Sequence, residues 1–208
     1  MKPSEADQVK ARFGTAVIET PVALDGLAVF VHESNPVSEL SLRQLRDIYT
    51  GRITSWKQVG GRDEPIVLYS RENNSGTYLY FKEHVLENAD FAPTAQNLPG
   101  TAAVINAVAH DPNAIGYGGI AYGKGIKHVK VKKTDTSPAI EPTLDNVVRG
   151  IYPISRALYF YTAGRPKNPV ALDFIRWVLS PEGQAVVSEV GYYPLPEAER
   201  LKAAAQWN

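Results

Sequence analysis

The stretch "SRENNSGTYLYF", residues 70–81, sets a basic residue, a turn and a Ser-Gly-Thr triplet ahead of an aromatic segment, directly after the apolar run "IVLY". Those residue types at that spacing suit oxyanion binding. The first backbone N–H groups of a helix lack internal partners, and the summed peptide dipoles place partial positive charge there. A strand, a short loop and a helix beginning at Ser75-Gly76-Thr77 therefore make an anion cradle. Ser75 can cap the helix or donate its hydroxyl. Gly76 lets an oxyanion approach the backbone with no Cβ in the way, and Thr77 adds a hydroxyl beside its N–H. Arg71, at the strand end, supplies a planar fork of donors. Charge-assisted bonds from such groups contribute about 1.5 to 3 kcal/mol each, so several together reach micromolar affinity if the site is pre-formed. The same residues also read as a plain helix cap with a solvated arginine beside it, and these positions alone do not separate the two.

Other chemistries find less support. His32, His84, His110 and His128 have no metal-ligand spacing with one another, so no metal is expected. Ser75 as a nucleophile would need a positioned base, and no G-x-S-x-G elbow is present. Cysteine is absent, which excludes disulfides and thiolate chemistry. The basic stretch "KGIKHVKVKK" lacks interleaved aromatics and reads as a solvated strand face rather than a nucleic-acid surface. Across the 208 residues, 22 Lys plus Arg balance 22 Asp plus Glu. No overall field would draw the chain to nucleic acid or an anionic membrane, so an anion site must be local.

Elements must position these residues. Hydrophobic residues make up 44% of the chain, enough for a sizeable core. Short apolar runs alternate with helical stretches, the rhythm of α/β units. "TPVALDGLAVFVH" (20–32) predicts two short strands or one kinked at Asp25-Gly26. Ser41 is placed to cap the helix "LRQLRDIYTG", which Gly51 ends. "PIVLY" (65–69) reads as a buried strand, and Ser75 caps a helix running on through "TYLYFKEHVLEN". "TAAVINAVAHD" (101–111) predicts an amphipathic helix. The glycines of "AIGYGGIAY" suit a strand end or close backbone approach. "LYFYT" (158–162) reads as a buried strand, and in "VALDFIRWVLS" Val170, Phe174 and Val178 recur every four residues. No apolar run approaches the roughly 20 residues of a membrane helix, and the start "MKPSEADQVKARFG" is a charged amphipathic segment without the apolar centre of a signal peptide.

Read in order, "VALDGLAVFVHESNP", "LSLRQLRDIYTGRITSWKQVGG", "SRENNSGTYLYFKEHVL", "NAIGYGGIAY", "GIYPISRALYFYT" and "FIRWVLSPEGQAVVSEVGYYPL" closely resemble the substrate-binding proteins of phosphate ABC transporters. The likeness covers nearly the whole chain. It implies an α/β, periplasmic-binding-protein-like II fold: two α/β lobes with a ligand cleft between them. By that layout residues 33–125 form the complete second lobe. Residues 1–32 and 126–208 supply crossing segments and the remaining part of a first lobe that is incomplete at its N-terminal side. The resemblance implies a non-catalytic protein without a cofactor, located in the periplasm or otherwise outside the cytoplasm. Such a protein captures inorganic phosphate and delivers it to an ABC transporter permease. Arg71, Ser75, Gly76 and Thr77 carry over as the groups holding phosphate oxygens. Some family members place an acid just after the Arg to steer its fork; here Glu72 is the candidate for that role and Asn73 a departure. An incomplete sheet would leave apolar helix faces exposed, which points to a homo-dimer or swapped assembly. A second class stays open: an interaction or regulatory module that keeps the fold, self-associates through the incomplete lobe and binds phosphate weakly or not at all.

Overall fold

A computed structural model describes residues 1, 3–123 and 125–208. The chain divides into two compact units, one built from residues 1–25 with 156–208 and the other from residues 26–155. In chain order the elements are α1 (Pro3–Phe13), β1 (Val17–Val31), β2 (Glu39–Ser41), α2 (Leu42–Tyr49), β3 (Val67–Arg71) and α3 (Gly76–His84). There follow β4 (Gln96–Leu98), α4 (Gly100–His110), β5 (Ala114–Gly119), β6 (Lys127–Lys132), β7 (Ala139–Ile140) and α5 (Leu144–Val148). The chain ends with β8 (Ser155–Ala163), α6 (Pro169–Val178), α7 (Pro181–Glu189) and α8 (Glu197–Ala205).

In the unit of residues 26–155 the strands lie in the order β2-β6-β1-β5-β3-β4, with β7 beside β6. β1 runs antiparallel to β5 and β6, whereas β3 runs parallel to both β4 and β5. Strands paired in parallel on both sides need helical crossovers, and α3 and α4 follow β3 and β4. The carboxyl ends of β3, β4 and β5 therefore lie together with the amino ends of α3 and α4, the edge of an open α/β sheet where ligands bind. Leu27 to Val31 are all at most 1% exposed, covered from both faces as central strands require. Of the two readings of 20–32 a single strand is found: β1 runs unbroken for 15 residues through Asp25-Gly26. Gly26 serves close packing instead: a Cβ there would come within 2.4 Å of Ile120 Cδ1 and 2.9 Å of Val147 Cγ2.

The span 33–125 expected for the second lobe lies within this unit. Residues 27–31 pair with β5, and Tyr152 Oη donates to the Leu27 carbonyl at 2.9 Å while Leu27 N–H donates to that of Ile154. Tyr152, Ile154 and Val147 are buried accordingly. Local signals held well within it. Ser41 caps α2 through a full capping box, its Oγ accepting from Gln44 N–H and Gln44 Oε1 accepting from Ser41 N–H. The expected strand at 65–69 lies two residues later, as Val67–Arg71, so Arg71 is its last residue. The helix capped by Ser75 ends at His84 rather than near residue 88, because Glu87 and Asn88 both adopt positive φ and turn the chain.

In the other unit β8 pairs with β1, and a core of Ile175, Leu179, Leu195, Ala203 and Trp207 gathers Ile18, Leu24 and Phe160. The prediction of a buried strand at "LYFYT" is corrected in its burial: β8 is a strand, but its residues alternate between half-buried and exposed, with Tyr159 and Tyr161 outward and Phe160 on the core. Of the four-residue repeat in α6 only Val178 is buried. Val170 and Phe174 are 71% and 53% exposed, and Ile175 joins Val178 as the inward face. No residue of α1 is buried. Trp207, next to the last residue, is completely covered; its Nε1 donates to Thr20 Oγ1 at 3.2 Å, and its carbonyl accepts from Arg176 and Arg165. Among the described residues no helix is long and apolar enough to cross a membrane.

Candidate anion-binding site

The predicted residues assemble at the carboxyl end of β3 and the amino end of α3. Ser75 Oγ accepts from Thr77 N–H at 3.1 Å and Tyr78 N–H at 3.2 Å, the cap expected from its position. With both contacts accepted, its own O–H is left to donate. Ser75 N–H closes a turn on the Glu72 carbonyl at 2.9 Å, which holds the helix start directly beyond the strand. A Cβ built on Gly76 meets nothing within 4 Å, so open space lies over the first residue of α3. Thr77 follows half-buried. Gly76→Ala should therefore leave the melting temperature essentially unchanged, while weakening anion binding about tenfold by occupying that space. Thermal melts beside calorimetric titration with phosphate check both halves.

Arg71 is held by two neighbours. Its Nη1 donates to Thr101 Oγ1 at 3.0 Å and its Nη2 to Glu72 Oε1 at 3.3 Å. Its Nε is buried and has no hydrogen-bond partner among the described residues. An unpaired buried donor on a cation is costly, and an acceptor oxygen is what it lacks. Glu72 does more than pair with Arg71: its Oε2 accepts from Gly100 N–H at 3.1 Å, capping α4, whose own N-cap residue Pro99 offers no side-chain bond. The Arg71 bond, then the backbone N–H groups of Glu72 itself and Gly100, hold the Glu72 carboxyl below the usual carboxylate range. A depressed folded pKa means that the contribution of this carboxylate is complete above the ordinary Glu range and is lost as pH falls through the folded value.

Aromatic packing makes the floor of the site rigid. Tyr117 lies face to face on Phe81 at 3.9 Å between centroids, and Tyr49 meets both edge-on. Tyr117 and Ser70 share a hydrogen bond of 2.8 Å between their hydroxyls, one residue before Arg71. Burial drives the Tyr117 and Tyr49 phenols well above their ordinary values, so both keep their protons for hydrogen bonding. Asn97 Nδ2 donates to Asn73 Oδ1 at 2.9 Å, tying the loop to β4.

All four predicted phosphate ligands thus stand on one strand-loop-helix segment, with Glu72 beside Arg71. Sequence reasoning missed Gly100 and Thr101, which approach only because β4 pairs with β3 in the register Arg71↔Leu98. No group of three or more metal-ligating side chains occurs among the described residues.

A model of the PBP superfamily domain matches residues 1–182. The phosphate-binding protein PstS of Pseudomonas aeruginosa is 35% identical over 98% of this chain, which spans 68% of that relative. PstS of Staphylococcus epidermidis is 33% identical over 86% of the chain, which here spans 57% of the relative. Among solved structures, an ABC-type phosphate transport receptor from Vibrio cholerae superposes with a TM-score of 0.80 at 30% identity, covering 94% of this chain and 77% of that one. A protein from Clostridium perfringens, described as a phosphate ABC transporter substrate-binding protein with bound phosphate, gives 0.77 at 34% identity, with 94% and 76% covered. On these grounds the chain belongs to the PBP superfamily, in the family of the phosphate-binding protein PstS.

Proposed function

We propose that this chain binds inorganic phosphate through Arg71, Ser75, Gly76 and Thr77 and serves as the substrate-binding component of an ABC-type phosphate importer. The observation that carries the assignment is the Arg71 guanidinium: pinned at both Nη atoms, its Nε is left as a buried donor without a partner, beside a capped helix start with open space over Gly76. A tetrahedral oxyanion supplies acceptors for that set. The role is binding rather than catalysis, as in the relatives, which are named for binding and transport. By the same family membership the chain would act outside the cytoplasm and hand phosphate to a membrane permease. Calorimetric titration with phosphate, sulfate and arsenate tests the assignment: saturable phosphate binding is expected, and none at millimolar phosphate would overturn it.

We further propose that the chain self-associates through α6. Val170, Phe174 and Trp177 expose 71%, 53% and 46% of their surface on one helix, more apolar area than a solvated helix needs. Self-association or swapping would cover it. Light scattering at rising concentration distinguishes a dimer from a monomer.

A further inference from the structure

We propose that Thr101 is the positioning residue that sets the fork of Arg71 before the anion arrives. This role rests on the phosphate binding proposed above. Arg71 Nη1 donates to Thr101 Oγ1, Arg71 Nη2 donates to Glu72 Oε1, and Glu72 Oε2 accepts from Gly100 N–H, the residue before Thr101. These three hydrogen bonds close a ring through two adjacent pairs in sequence, 71–72 and 100–101. A guanidinium anchored at both Nη atoms cannot turn in its plane, and the edge carrying Nε is presented in one orientation. Ordering this rotamer-rich side chain in advance removes a cost that binding would otherwise carry.

Thr101 suits the task because it is itself fixed. It is 7% exposed in the first turn of α4, and β-branching leaves its side chain few rotamers. Its seat is the backbone of Gly118 on β5: a Cβ there would lie 2.3 Å from Thr101 Cγ2 and 2.9 Å from Oγ1. Gly118 in turn pairs with Ala28 of β1, so the hydroxyl is located by the sheet rather than by the loop. Gly118, one of the glycines read as suiting a strand end or close backbone approach, thus transmits the position of the sheet to Arg71.

The test compares Thr101→Val, which keeps the shape and removes the acceptor, with Thr101→Ser, which keeps the acceptor. Calorimetry should find Thr101→Val weaker for phosphate by about tenfold, with Thr101→Ser within about threefold of the unmodified chain. In an Arg71→Ala background Thr101→Val should add no loss beyond about twofold, because it acts through Arg71. In the ligand-free chain the Arg71 guanidinium signals of a 1H–15N spectrum should broaden in Thr101→Val and stay sharp in Thr101→Ser. Phosphate affinity within about twofold of the original in Thr101→Val, while Arg71→Ala loses binding, would overturn the role of Thr101 and leave the phosphate assignment standing. If the unmodified chain takes up no phosphate, the assignment falls, and the guanidinium spectrum alone decides: unchanged Arg71 signals in Thr101→Val reject the proposal.

Discussion

Arg71→Ala should weaken phosphate binding by about 2 to 4 kcal/mol, roughly thirtyfold to several hundredfold. Three contributions set that size. The substitution deletes the buried donor Nε, which has no partner of its own among the described residues. It removes the positive charge that offsets Glu72, leaving a carboxylate beside the incoming anion. It also releases Thr101, whose hydroxyl accepts from Nη1. Arg71→Lys should recover only part of the loss, because an ammonium cannot present two parallel donors while holding both Thr101 and Glu72. Calorimetry on both variants, beside a melt to establish folding, is the measurement. A loss under about 0.5 kcal/mol in Arg71→Ala would remove it from the ligand set.

Trp207→Ala should destabilise the chain by about 3 to 5 kcal/mol, the range for deleting a large buried aromatic, against a total of about 5 to 15 kcal/mol for a protein of ordinary stability. Trp207 is fully covered, and its ring closes the core of Ile175, Leu179, Leu195 and Ala203. Thr20, also fully buried, would lose the donor that its hydroxyl accepts from Nε1. Trp207→Phe should fall between, since it retains apolar area and loses the hydrogen bond. Urea denaturation followed by circular dichroism measures both. A midpoint in Trp207→Ala equal to that of the original chain would show that Trp207 is not part of the cooperative core.

Much of the site was legible because its signals are local. Ser75 caps α3 as its type and position require, since a cap involves only the next three residues. Ser41 and Gln44 make the capping box that S-x-x-Q predicts. Arg71 and Glu72 are neighbours in the chain, and their ion pair follows at little cost. Thr101 was not legible. Nothing in "LPGT" points to residue 71, which approaches through the parallel pairing of β3 with β4. Gly118 was legible as a strand end or a place for close backbone approach, not as the seat of a particular side chain.

Burial was read less well than element type. The periodicity of "VALDFIRWVLS" identifies a helix, but a period of about four shares its residues between two neighbouring faces. The inward one holds Ile175 and Val178, not Val170 and Phe174. "LYFYT" has the composition of a buried strand, yet strand composition cannot say whether both faces are covered, and here Tyr159 and Tyr161 are not.

By itself the sequence determined what arises within a few residues: that Ser41 and Ser75 cap helices, and that Arg71, Ser75, Gly76 and Thr77 share one strand-loop-helix segment. Only the tertiary structure decided which distant residues complete it. The parallel register of β3 and β4 brings the start of α4 to the end of β3, so that Thr101 and Gly100 meet Arg71 and Glu72, about thirty residues away. The physical reason is that hydrogen-bonded caps depend on local backbone geometry, whereas contact across a sheet depends on strand order and register, which every strand of the sheet sets jointly.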